Sequence, residues 1–163
     1  MTRFNAVIEA PFGKVGIRVD AAAGVVQAIE YLPATVPGVA PDSALAEEVV
    51  RQIEQYLACP SVSFDVPLAD VGTPFQRRVW QALCEIAPGQ VLTYGQLADQ
   101  LGGVARAVGQ ACGDNPWPIV VPCHRVVAAN GLGGFAHHSG DGFFLRVKRW
   151  LLAHEGPQGN LGL

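Results

Sequence analysis

The sequence predicts an α+β protein in two parts: a small sheet-plus-helix domain at residues 1–70, then a mainly helical domain at 71–163. Three observations predict it. The first third carries short apolar runs bounded by turn residues, the pattern of strands. The second half carries helix-start signals and apolar residues at helical spacing. Between them lies ACPSVSFDVPLADVG, which is extended and loop-like and ends near residue 70.

Taken in order, AVIEAPF and GKVGIRVD are β-like and meet near Phe12-Gly13-Lys14, and GVVQAIEYL is a third strand. A helix is expected at about 43–58, where Leu45, Val49, Ile53, Tyr56 and Leu57 keep helical spacing. Glu47 and Glu48 sit in its early turns, where the dipole favours anions. Thr73-Pro74-Phe75-Gln76 combines an N-cap, a first-turn proline and a capping-box glutamine. Phe75, Val79, Leu83 and Ile86 then form one apolar face, which Pro88-Gly89 ends. Thr93-Tyr94-Gly95-Gln96 repeats the capping box and opens a short helix to Leu101. Gly102-Gly103 turns the chain into a helix at 104–111, a helix-turn-helix pattern. That helix is almost all small residues, with one long side chain, Arg106. Such a surface suits tight packing against a core, or close approach to a narrow groove with one arginine projecting. GLGGFAHHSGDGF (131–143) is a glycine-rich loop, and a last helix runs from about 143 to 154.

Half of the 163 residues are apolar and 15% are charged, a globular composition. No apolar run reaches the length of a membrane span. The start of the chain, MTRFNAVIEA, lacks a secretory pattern, and four scattered cysteines suggest reduced thiols, so a cytoplasmic protein is expected. The net charge of −3 is unevenly spread. Residues 76–150 hold seven cations (Arg77, Arg78, Arg106, Arg125, Arg146, Lys148 and Arg149) against four acids, while residues 1–75 hold four cations against nine acids. An anionic partner on the C-terminal half is therefore allowed.

The chemistry concentrates in VPCHRVV (121–127), where Cys123 and His124 adjoin after the apolar run Pro118-Ile119-Val120-Val121-Pro122, which looks like a buried strand. A cysteine can be a small core residue and its neighbouring histidine a coincidence. The surrounding motifs decide. Pro122-Cys123-His124-Arg125-Val126, Asn115-Pro116-Trp117-Pro118, GTPFQRRVWQAL (72–83), TYGQLA (93–98), ARAVGQA (105–111) and KRWLLAHEG (148–156) together resemble the O6-alkylguanine-DNA alkyltransferases. The resemblance spans the second half; the first half matches only in layout, as a ribonuclease-H-like domain.

The resemblance implies a single-turnover transfer of an alkyl group from O6-alkylguanine, with O4-alkylthymine as a second candidate substrate, in double-stranded DNA to Cys123. It implies base flipping into the site and a helix-turn-helix in the minor groove. A free cysteine is only a few per cent thiolate at neutral pH, so it needs activation. The family's roles map as follows. His124 activates Cys123 through a water, and Glu155 orients His124. Asn115 ties down the turn before the active-site strand. Tyr94 lies at the pocket and phosphate edge, and Lys148 closes over the site. Arg106 replaces the flipped nucleotide, with Ala105, Ala107, Gly109 and Arg125 at the DNA. Val126 reads the guanine amine through its carbonyl, and Phe135 and Ala136 line the pocket. Glu155 also has independent support, since a carboxylate at a helix C-terminus is disfavoured unless it faces a partner.

The resemblance implies no cofactor, and the protein is expected to act as a monomer. No metal is expected, because the chain has no histidine before His124 and Cys59, Cys84 and Cys112 are widely spaced, as packing residues would be. Ala136–Gly142, with His137 and His138, is longer than the usual loop of the family, so the alkyl sizes accepted could differ. The competing readings are a Cys-His hydrolase, which would need the pair from distant segments, and a non-catalytic alkyltransferase-like or helix-turn-helix DNA-binding protein, which would not need Cys123.

Overall fold

The computed structural model describes residues 3–133 and 142–156. The chain divides into two compact units, Met1–Val71 and Gly72–Leu163.

In the first unit, β1 (Ala6–Ala10), β2 (Gly13–Asp20) and β3 (Val25–Leu32) form an antiparallel sheet in that order. The β1–β2 turn falls where Ala10 pairs with Gly13, and a register shift interrupts β2–β3 at Arg18/Val19. Helix α1 (Ala44–Ala58) begins at Ser43, whose hydroxyl accepts from the Ala46 N–H. Its buried face, Ala46, Val49, Val50, Ile53 and Tyr56, joins Val15, Ile17, Val26 and Ile29 in the core. Leu45 and Leu57, expected on that face, lie half-buried at its edges. The stretch after α1 stays extended. It is held by the buried Gln52 side chain, which accepts from the Asp65 N–H at 2.8 Å and donates to the Asp65 carbonyl at 3.0 Å.

In the second unit, α2 (Pro74–Cys84) and α3 (Tyr94–Leu101) both start with complete capping boxes, from Thr73/Gln76 and Thr93/Gln96. Gly102, with φ 70°, ends α3 in the left-handed region that favours glycine, and α4 (Ala105–Gly113) follows. Trp80 of α2 donates its indole N–H to the Ala111 carbonyl of α4 at 2.8 Å and meets Trp117 edge to face. The helix-turn-helix is thus bolted to α2 through a buried hydrogen bond. The last helix is α5 (Phe143–Glu155).

The apolar run 118–121 is a turn, not the strand expected from its composition. Ile119 takes a positive φ of 76°, which a β-branched residue adopts only under constraint, costing about 1–3 kcal/mol. Asn115 supplies that constraint. Its side chain accepts from the Trp117 N–H at 2.9 Å and donates to the Val121 carbonyl at 2.8 Å. Burial of Trp117, Ile119 and Val121 explains the apolar composition without any sheet. The regular pairing nearby is a two-residue parallel pair, β4 (Leu92–Thr93) with β5 (Val126–Val127). It was not legible in the sequence because each strand is only two residues long.

Candidate active site

Cys123 opens a single turn of 3-10 helix, Cys123–Arg125, which runs straight into β5. Pairing of Leu92 with Val126 and of Thr93 with Val127 sets the start of α3, and so Tyr94, beside this turn. α5 brings in Lys148 and Glu155. Cys123, His124, Arg125, Lys148 and Glu155 are all buried.

His124 is fully buried, and its Nε2–H donates to Glu155 Oε2 at 2.6 Å. Its Nδ1 is buried without a hydrogen-bond partner among the described residues. Burial pushes the imidazole below its usual range, opposed by the hydrogen bond and charge of Glu155 and reinforced by Arg125 and Lys148. A neutral imidazole bonded through Nε2–H carries its lone pair on Nδ1. The site therefore holds a base whose accepting atom is not already satisfied by the described residues.

Burial raises the Cys123 thiol above its ordinary range, and a hydrogen bond from the Asn115 side chain and the charge of Lys148 pull it back. The thiol is thus protonated at rest and must lose its proton during reaction. Asn115 does two jobs: it braces the 117–121 turn and steadies the sulfur that follows it.

Lys148 donates to the Val126 carbonyl at 2.8 Å, and its ammonium lies 5.8 Å from the Tyr94 ring centroid. Burial brings that ammonium down to about 8, opposed by the nearby thiols of Cys123 and Cys112. Burial also raises the Tyr94 hydroxyl. It therefore stays a proton donor through the physiological range. A carbonyl has two lone pairs, so Val126 can accept a second donor besides Lys148.

Three sequence expectations are corrected here. Arg125 is not a DNA-facing cation. It is only 7% exposed, and its guanidinium is committed to Glu155 and to the Ile86 carbonyl. Lys148 is also internal, so two of the seven cations of residues 76–150 add nothing to a surface field. Of the three cysteines assigned to packing, Cys112 is buried, whereas Cys59 and Cys84 are exposed. Phe135, Ala136, His137 and His138 lie outside the described residues.

The helix-turn-helix residues sit differently. Ala105 and Arg106 are exposed, while Ala107 and Gly109 are half-buried. A Cβ added at Gly109 would meet nothing within 4 Å, so packing does not dictate the missing side chain. Val104, at the N-cap of α4, is 65% exposed, a large apolar side chain left uncovered beside Arg106. Sequence reasoning passed over Val104, although an apolar residue at an N-cap is itself unusual. Among the described residues, no group of three or more metal-ligating side chains is gathered, and no helix is long and apolar enough to cross a membrane.

Comparison with known proteins agrees with this geometry. The family profile described as "6-O-methylguanine DNA methyltransferase, DNA binding domain" matches residues 74–157. A methylated-DNA–protein-cysteine methyltransferase of Shigella flexneri is 54% identical over 99 residues, 59% of this chain and 54% of the relative. The chain thus spans about half the length of that relative. One from Methanosarcina acetivorans is 50% identical over 112 residues, 67% of this chain and 68% of the relative. The crystal structure of Mycobacterium tuberculosis OGT in complex with DNA superposes with a TM-score of 0.72 at 38% identity, covering 91% of this chain and 90% of that one. With more than half its length matched and its buried Cys-His-Glu arrangement lying inside the matched segment, the chain belongs to the 6-O-methylguanine DNA methyltransferase family.

Proposed function

We propose that the protein repairs O6-alkylguanine in double-stranded DNA by moving the alkyl group onto Cys123. One observation carries the reading: a buried thiol is followed directly by a buried histidine whose Nε2–H is held by Glu155 and whose Nδ1 has no protein partner among the described residues. That atom takes the thiol's proton through a bridging water. The sulfur then attacks the alkyl carbon, a C–S bond forms as the C–O6 bond breaks, and guanine leaves. Tyr94, its hydroxyl kept protonated by burial, donates a hydrogen bond to the leaving base, which ends neutral by taking, through water, the proton that His124 removed from the thiol. The thioether product has no leaving group that this site can activate, so each molecule reacts once.

The target base must leave the stack to reach a buried sulfur. We assign the groove-facing surface to α4: Ala105, Ala107 and Gly109 permit close approach, and Arg106 fills the space of the flipped nucleotide. α4 starts with no side-chain cap, which leaves N–H groups for a phosphate. The minor groove fits this small-residue surface. The Val126 carbonyl reads the guanine amine, and Lys148 holds the lip of the pocket. In this assignment residues 1–70 form a ribonuclease-H-like domain and residues 71–163 do the chemistry, as a monomer in the cytoplasm. The test is to incubate the protein with duplex DNA carrying O6-methylguanine and weigh it. One methyl group retained on Cys123 is expected. Demethylated DNA with unmodified protein would indicate a hydrolase, and unchanged DNA a non-catalytic binder.

A further inference from the structure

Arg125 makes a buried, two-pronged ion pair with Glu155. Its Nε donates to Glu155 Oε1 and its Nη2 to Glu155 Oε2, each at 2.8 Å, while Nη1 donates to the Ile86 carbonyl at 2.5 Å. The same Oε2 accepts from His124. Both carboxylate oxygens are therefore gripped by one planar fork, and one of them is shared with the imidazole. The Ile86 carbonyl, just past α2, fixes the far side of the guanidinium.

We propose that Arg125 is a positioning residue for alkyl transfer: it locks Glu155 and balances its charge, so that His124 rests neutral with Nδ1 able to accept the thiol's proton. This rests on the alkyl-transfer reading above. The argument is one of charge count in a closed site. Arg125 and Glu155 cancel, so a proton on His124 would leave the buried cluster net positive. Without Arg125, Glu155 would leave it net negative, and a proton on His124 would neutralise it. His124 would then be a donor at rest and could not serve as the base. Among the described residues, the other groups facing the cluster are Lys148 from α5, Cys123 beside His124, and Cys84 from α2, which senses Arg125 and lies near Glu85. Lys148 is the one further cation among them, and it acts on His124 in the same direction as Arg125. A lysine at 125 could supply the charge but not the two-pronged grip.

The test follows the pH dependence of Cys123 alkylation by free O6-benzylguanine, with imidazole NMR titration of His124 in the same full-length variants. Arg125→Gln is expected to move the acid limb of the rate, and the His124 titration, upward by about one unit or more. Glu155→Gln is expected to move both downward. Arg125→Lys should keep the fold and give a smaller upward shift. Uniform slowing at every pH with unmoved midpoints would make Arg125 a brace of the fold and overturn the proposal. Should Arg125→Gln fail to fold, the lysine variant and the native protein decide. Native His124 must be the neutral Nε2–H form at neutral pH, and an imidazolium there would overturn the proposal. The NMR titration uses no alkyl donor, so it separates failure of this inference from failure of the alkyl-transfer reading.

Discussion

His124 carries a consequence for stability as well as for chemistry. Its pKa in the folded protein lies below the ordinary 6.5 because burial disfavours the imidazolium. The folded state therefore binds fewer protons than the unfolded state once pH falls below 6.5. The stability tied to this neutral burial is fully present above that value and is lost as pH falls. The melting temperature of the native protein should drop more steeply below pH 6.5 than that of His124→Gln, which has no group to titrate there. Parallel melting curves against pH would remove His124 from the account of acid sensitivity. Arg106 is the opposite kind of residue: exposed, and without a hydrogen bond or ion pair among the described residues. Its loss should leave the fold alone. As one cation of several, it should change the salt dependence of DNA binding by less than about one unit of slope. Unstacking a base costs a few kcal/mol, which a stacked guanidinium offsets in part. Arg106→Ala should therefore slow alkylation by duplex DNA much more than by free O6-benzylguanine, and Arg106→Lys should recover part of the loss. Equal slowing with both substrates would assign Arg106 to the pocket or the fold.

At the scale of elements, α4 is the place where stability and function should part. Gly109 lies within the helix with open space around its missing Cβ. Gly109→Ala should stabilise the protein by about 1 kcal/mol through helix propensity alone. If α4 enters a groove, the same methyl group should weaken duplex binding. Calorimetry and a duplex titration check the two effects separately, and a stabilised variant with native duplex affinity would take Gly109 off the interface. Helices α1, α2 and α3 carry a start signal in the sequence, whereas α4 and α5 begin with no side-chain cap. Ser43, Thr73 and Thr93 each accept from the N–H three residues on, and the latter two complete capping boxes. The 117–121 turn was not legible, since its apolar run reads as a strand and only the two bonds of the Asn115 side chain reveal the turn. Arg125 was misread for a related reason. A basic side chain beside an active-site cysteine invites a DNA contact, and only the three-dimensional meeting with Glu155 and Ile86 shows that it faces inward.

On the scale of the whole molecule, the second unit concentrates the chemistry in three short segments: the Asn115–Val127 stretch, the start of α3, and α5. Asn115, Cys123, His124 and Glu155 were named from the sequence, and their meeting follows from α5 packing against the Cys123–Arg125 turn. What the sequence could not show was the sharing of one carboxylate between His124 and Arg125, because burial and pairing of charges are properties of the folded chain. Among the described residues the arrangement holds a buried thiol beside a buried imidazole, and the proposed alkyl transfer makes the protein a reagent used once. Intact-protein mass spectrometry after prolonged incubation with excess O6-methylguanine duplex tests this most directly. The account predicts a plateau at one methyl group per molecule, mapped to Cys123 and abolished in Cys123→Ser. Continued DNA demethylation beyond one equivalent, or a methyl group on another residue, would contradict it.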